Sequence, residues 1–375
     1  MKKAKKNPYT LIVFLLLSQL PGLCQDKPFV TYPDNISTYL KRIQKGDQKY
    51  KYSKNKNHYD WQNEARTALI ELIGLKAMSI KLKDHEPSVK LGKKEEVGGK
   101  FSRTLCQIET EPGINVPFYL LVPSNTNKKT PLIICPHGHD TEGLHSYSGS
   151  YLNDDHRKKI TARKGNIAEQ AALRGMIAIA PATRGLANEL LVPDPKGRHG
   201  SRPCRAQFMH CIISGRTPTA ERVWDMQKII DWAWNHPLVD QRKIVMTGNS
   251  GGGVLTAYAA AIDNRISVAV PSCSFTSVTS SDGFIFHCDC CAVPGIRDWG
   301  DWTELGALIA PRSLLIVHGV HDGLHNRKDV ENTASKIRNI YHGLGSLNRM
   351  KMEWGNSGHQ FYPEIMWPFI ERSLR

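Results

Sequence analysis

At 375 residues, 40% hydrophobic and 23% charged, the chain has a globular composition and is long enough for one large core or two modest ones. No self-similarity at a solenoid period and no excess of Gly or Pro is present, which excludes repeat, fibrous and disordered architectures. Formal charge is +15, much of it in the lysines of 41–56 and 76–100. A solvated lysine-rich arm accounts for such runs, and attraction to an acidic polymer such as a uronic-acid polysaccharide is the sharper alternative. No nucleic-acid-binding motif accompanies the charge, so no nucleic-acid partner is expected.

Lys2, Lys3, Lys5 and Lys6 precede a short apolar run at 11–17, and Gly22-Leu23-Cys24 follows. This is the pattern of a signal peptide over residues 1–24, so the protein is expected to be exported, periplasmic or extracellular. Lipid attachment through Cys24 is the alternative, although Leu23 is bulky where that processing favours a small residue. A second long apolar span is absent, so no integral membrane association is expected. Residues 25–100 read as a helical arm and linker. The stripe Trp61, Ala65, Ala68, Leu69, Leu72 and Ile73, closed by Gly74, predicts a helix on the periphery.

Residues 101–375 read as a catalytic domain. Alternation over 101–110, a turn at Gly113 and a run at 116–122 predict two strands. Pro131-Leu132-Ile133-Ile134-Cys135 is a short continuous apolar run, as expected for a strand buried on both faces, and further strands are predicted at 176–180, 243–247, 267–270, 312–317 and 349–354. Helical patterns at 167–173, 220–236, 251–261, 330–341 and from 362 alternate with them. The class is therefore α/β, with a mostly parallel central sheet covered by helices on both faces. Residues 272–305, after the sixth of these strands, break the rhythm and predict an insertion or partial lid.

Chemistry concentrates where strands end. Gly248-Asn249-Ser250-Gly251-Gly252 lies between a predicted strand and a predicted helix, the setting of a nucleophile elbow. Ser250 needs a base to take its proton and donors for the oxyanion it creates. The backbone N–H groups of Gly251 and of His139, in Pro136-His137-Gly138-His139, are the candidate donors. Chain order then asks for an acid followed by a histidine. Asp322, in His321-Asp322-Gly323, and His359, in Ser357-Gly358-His359, stand after later strands, with Asp282 as the rival acid. His321 reads as structural.

Nine cysteines include Cys24. Cys106 and Cys135 read as buried thiols in strands. His287-Cys288-Asp289-Cys290-Cys291 lacks the paired CxxC spacing of zinc hooks, and the His137/His139 pair has no obvious further ligands. No metal is expected, and buried thiols or one or two disulfides are the reading for the cluster.

The segments Thr219-Ala220-Glu221-Arg222-Val223-Trp224-Asp225, the elbow, and Ala310-Pro311-Arg312-Ser313-Leu314-Leu315 resemble the acetyl xylan esterase-like branch of the α/β-hydrolases, related to dienelactone hydrolases and bacterial carbohydrate esterases. The resemblance runs over roughly residues 60–372 and includes the Phe286–Cys290 segment with Pro294-Gly295, which it identifies as an insertion rather than a zinc site. It implies Ser250 as nucleophile, Asp322 as acid and His359 as base, with no cofactor. It also implies an acylated carbohydrate or other small ester as substrate, with acetyl groups on plant-type polysaccharide first. Pro181-Ala182-Thr183-Arg184-Gly185 departs from the branch, which often carries an acidic residue before Arg-Gly. Arg184 is thus a candidate for substrate contact or for a structural ion pair. Trp299 and Trp302 are candidates to stack on sugar rings, with simple packing as the other reading. Esters of uronic acids, lactones and peptides remain alternatives, as does a silent carbohydrate-binding relative. Oligomeric state is not legible.

Overall fold

A computed structural model describes residues 33–375 except 125, 201, 281, 282 and 284. The segment read as a signal peptide, with Cys24, and the rival acid Asp282 lie outside the described residues. The arm holds α1 (Asp34–Ile43), α2 (His58–Leu72) and α3 (Leu75–Lys81), and β1 (Val89–Val97), β2 (Phe101–Glu111) and β3 (Ile114–Pro123) form a meander. Then come β4 (Thr130–Ile134), α4 (Gly143–Ser148), α5 (Asp154–Ala162), α6 (Ile167–Leu173), β5 (Ile177–Pro181), α7 (Pro203–Ile213) and α8 (Pro218–Trp234). The second half runs β6 (Val239–Asn249), α9 (Gly251–Ile262), β7 (Ile266–Ser272), α10 (Ile296–Trp299), α11 (Trp302–Ile309), β8 (Ser313–Gly319), α12 (Arg327–Gly343), β9 (Met350–Gly355) and α13 (Pro363–Ser373).

The strands join one sheet in the order β1-β2-β3-β5-β4-β6-β7-β8-β9. The first three are antiparallel to their neighbours, and β5 through β9 are parallel. Alternate side chains of each parallel strand enter opposite cores, as the two-residue period of a strand requires. Leu132, Ile134, Ile244, Met246, Leu314 and Ile316 pack with α2, α8, α9, α11 and α12. Ile133, Cys135, Val245, Leu315 and Val317 pack with α4, α6 and α13.

The arm is not peripheral. Trp61, Ala65 and Leu69 are buried in the larger core. Gln62 donates to the carbonyls of Ala307, Leu308 and Ala310, and Arg66 to those of Ala261 and Leu308. These are the C-terminal carbonyls of α11 and α9, which have no partner inside their own helices. The apolar stripe predicted a surface helix, and these polar residues on the same face turn it into a buried strut. β1 lies within the segment read as arm and linker, yet it hydrogen-bonds to the sheet edge. Its lysines face solvent, in line with the bland reading of the charge runs. Such charges also keep an edge strand from pairing with other chains.

Candidate active site

β6 ends at Asn249, α9 starts at Gly251, and Ser250 forms the turn between them with φ 58° and ψ −123°. A non-glycine residue in this region is strained, and such strain is held only where the surroundings over-determine it. Here Ser250 N–H donates to Ser272 O at 2.9 Å, and Val254 N–H donates to Ser250 O. The flanking glycines answer a packing demand. A Cβ on Gly248 would lie 2.5 Å from the backbone of Gly252, and one on Gly252 would strike the carbonyl of Pro136.

The loop after β4 packs on this elbow. A Cβ on Gly138 would sit 2.7 Å from Asn249 O, 3.0 Å from Gly251 N and 3.2 Å from Ser250 Cβ. A Cβ on Gly251 would lie 3.5 Å from His139 Nδ1, so the two candidate oxyanion residues are neighbours. His137 anchors the loop. Thr183 N–H donates to its Nε2 at 2.9 Å, leaving the proton on Nδ1 to donate to Gly138 O. Burial pushes its imidazolium down to about 4, so the ring is neutral at ordinary pH and its tautomer is fixed.

His359 Nδ1 lies 2.8 Å from Asp322 Oδ2. Burial would raise the Asp322 carboxyl, but the neighbouring His325 and His359 imidazoles, the second of them hydrogen-bonded to it, outweigh that and hold the group well below the usual carboxylate range. His325, its Nδ1 3.9 Å from the same oxygen, escapes a sequence reading because nothing local distinguishes it from His321. The pair is brought to the elbow through β7. Ser272 hydroxyl donates to Asn249 Oδ1, and Gln360 O lies 3.4 Å from both Ser272 Oγ and Cys273 Sγ. Sheet register puts Asn249 beside Ser272 and Ser272 beside Val317, so all three candidate triad residues stand at the carboxyl edge.

Burial decides three readings that the sequence left with alternatives. Arg184 does not face substrate; it is buried, 2.5 Å from Glu111 and from Asp225 and 3.8 Å from Glu221. Burial would lower its guanidinium, and the carboxylates of Asp225, Glu221 and Glu111 outweigh that and hold it charged. Replacing Arg184 with Met leaves the Asp225 carboxylate buried without its arginine, while Glu111 keeps Arg216 at 2.9 Å, and urea denaturation is expected to show a loss of about 3–5 kcal/mol. A change under 1 kcal/mol would contradict the network's role.

Trp299 and Trp302 are no sugar platform either. Both are buried; the Trp299 indole donates to Ala65 O, and Trp302 packs on Tyr258 and Phe275 and stacks on His287. A helical arm with a polar strut under it gives these rings a core to fill.

The third concerns the cysteines, which follow the buried-thiol reading rather than the disulfide one. The eight described cysteines are free thiols. His139, Cys204, Cys288 and Cys290 place one potential metal-ligand atom each within 4.8 Å of the other three. Cys204 comes from α7 and His139 from the loop after β4, so neither local spacing nor the His137/His139 pair could reveal the cluster. The groove of about 810 Å³ lined by Lys41, Lys45, Lys51, Lys54 and Lys336 includes none of the candidate triad residues.

Comparison with known proteins agrees with this geometry. The pattern described as the Abhydrolase family matches residues 24–270. The chain belongs to the Abhydrolase family. The pattern described as the prolyl oligopeptidase family matches residues 207–339, which include Ser250 and Asp322. The chain is 25% identical over 308 residues to the presumed hydrolase YtaP of Bacillus subtilis (strain 168), covering 79% of this chain and 93% of that one. Among solved structures, a presumed acetyl xylan esterase from Bacteroides fragilis NCTC 9343 superposes with a TM-score of 0.70 at 16% identity, over 94% of this chain and 97% of its own. A CE15 glucuronoyl esterase from Teredinibacter turnerae T7901 gives 0.59 at 16% identity, over 93% and 94%. At these identities the structures establish the α/β-hydrolase fold.

Proposed function

We propose that the chain is a serine carboxylic-ester hydrolase that removes acetyl groups from plant-type polysaccharide or oligosaccharide. The observation that carries the reading is the strained Ser250 elbow at the same sheet edge as the His359–Asp322 pair. Ser250 Oγ attacks the ester carbonyl while His359 Nε2 takes its proton. Asp322 holds the proton on His359 Nδ1 and stabilises the imidazolium. The N–H of Gly251, at the positive end of a twelve-residue helix, and the N–H of His139 receive the oxyanion. His359 then protonates the leaving sugar oxygen, and the same base activates water against the acyl-enzyme.

The solved relatives named as acetyl xylan esterases support acetate as the acyl group. Others are named as a methylesterase and glucuronoyl esterases, and with the lysine-rich surface they favour uronate esters as the second reading. The mature chain, after export and cleavage behind residue 24, is the form to assay. Hydrolysis of p-nitrophenyl acetate is expected to exceed that of the butyrate at least about tenfold, since extra methylenes in a small acyl pocket cost 1–3 kcal/mol. A methyl glucuronate cleaved faster than either would move the assignment to uronate esters. Cleavage of a proline-containing peptide in preference to all three would move it to a peptidase.

Gly138→Ala tests the oxyanion arrangement. The added methyl pushes the loop off the elbow backbone, so kcat is expected to fall about 100-fold and the thermal midpoint to drop, with the protein still folded at assay temperature. An unchanged kcat would separate this loop from the chemistry.

A further inference from the structure

We propose that His139, Cys204, Cys288 and Cys290 bind one zinc ion, a tetrahedral site that ties the candidate oxyanion loop to the insertion. The distances fit before any ion is added. Zinc at its usual bond lengths to thiolate and imidazole sets tetrahedral edges of roughly 3.8 Å between sulfurs and about 3.6 Å between sulfur and nitrogen. Cys204 Sγ and Cys288 Sγ lie 3.8 Å apart, and Cys290 Sγ lies 3.5 Å from His139 Nε2. All four atoms fall within 4.8 Å of one another. Three thiols with an imidazole are the donors zinc prefers among available divalent ions.

The surroundings suit the charge that such a site carries. Three thiolates and a neutral imidazole around a divalent ion leave one net negative charge, which burial would oppose unless it is matched. Arg222 is buried and directs Nη1 to Cys290 O at 3.1 Å and Cys290 Sγ at 3.6 Å, while Gln207 fixes its Nη2. Arg202 Nη1 stands 4.0 Å from Cys288 Sγ. Arg205, one residue after Cys204, pairs with Asp289 between the two insertion cysteines and clamps the two ligand-bearing segments together. Cys291 packs in the core and is not one of the four.

Four protein ligands fill a tetrahedral shell, so the ion is structural and leaves no position for substrate. Its effect on hydrolysis, which rests on the esterase reading, runs through His139. The ring is held by the metal, and the backbone N–H of the same residue is a candidate oxyanion donor. The insertion, α7 and the loop after β4 lie far apart in the chain, and one ion ties the loop to the pair that Arg205 and Asp289 already hold together.

The test is metal content of the mature protein, purified under reducing conditions without chelator and reconstituted with zinc chloride. Elemental analysis is expected to give about one zinc per chain. Cys204→Ser and Cys288→Ser are each expected to lose it, while Cys211→Ser, a buried thiol of α7 outside the cluster, keeps it. Cobalt substitution is expected to produce the thiolate charge-transfer and intense ligand-field bands of a tetrahedral sulfur-rich site. These readouts do not depend on ester hydrolysis, so they stand or fall apart from the assigned activity. Folded protein without zinc after reconstitution would overturn the site. So would zinc retained by both serine variants, or a Cys204–Cys288 disulfide found in the folded protein by peptide mass.

Discussion

Ser250→Ala is expected to lower kcat/KM for p-nitrophenyl acetate by about 10⁶-fold while the protein stays folded. The substitution removes one oxygen from a half-buried turn and keeps the backbone, whose geometry is imposed by Ser272 O and by the packing of Gly138, Gly248 and Gly252. A denaturation midpoint close to wild type is therefore part of the expectation, because the change deletes no buried packing. What survives should be the modest acceleration that oxyanion donors and binding supply without a nucleophile, roughly 10³-fold over water. Activity within tenfold of wild type would remove Ser250 from the mechanism.

Asp322→Asn is expected to cost about 10⁴-fold in kcat with a small effect on KM. The asparagine amide can donate to Nδ1 of His359, which drives the ring proton to Nε2. The ring then has no lone pair facing the serine. The amide has no charge to recover by titration, so no change of assay pH within the neutral range should rescue the variant. Asp282→Asn is the paired measurement, and it is expected to stay within a few-fold of wild type. A severe loss in Asp282→Asn with little change in Asp322→Asn would transfer the acid's role to the insertion.

The alternation of strand-like runs with helical patterns located the six parallel strands, most plainly β4 and β5, where burial leaves little room for polar residues, and less so β9, which lies at the sheet edge and carries Lys351 and Glu353. The elbow was equally legible, since its glycines answer steric demands that any strand-to-helix turn of this kind makes. The partnership of Asp322 and His359 followed from chain order, and the 2.8 Å contact agrees with it. Other features depend on residues far apart in the chain. Trp299 and Trp302 look like solvent-facing aromatics until α2 is placed over them, and Arg184 looks like a pocket residue until Glu111, Glu221 and Asp225 converge on it. β1 hides because its lysines give a strand no apolar face to show. The thiol cluster is hidden from the sequence for the same reason. Local spacing tests whether one segment can chelate, whereas this arrangement draws ligands from a loop, a helix and the insertion.

The measurement that bears most directly on the central claim is covalent labelling by a fluorophosphonate, followed by peptide mass mapping. One adduct per chain on Ser250, formed in step with loss of acetate hydrolysis and absent from His359→Ala, is the result predicted. Hydrolysis that persists in the presence of the reagent, or an adduct on another residue that accounts for the inhibition, would contradict it.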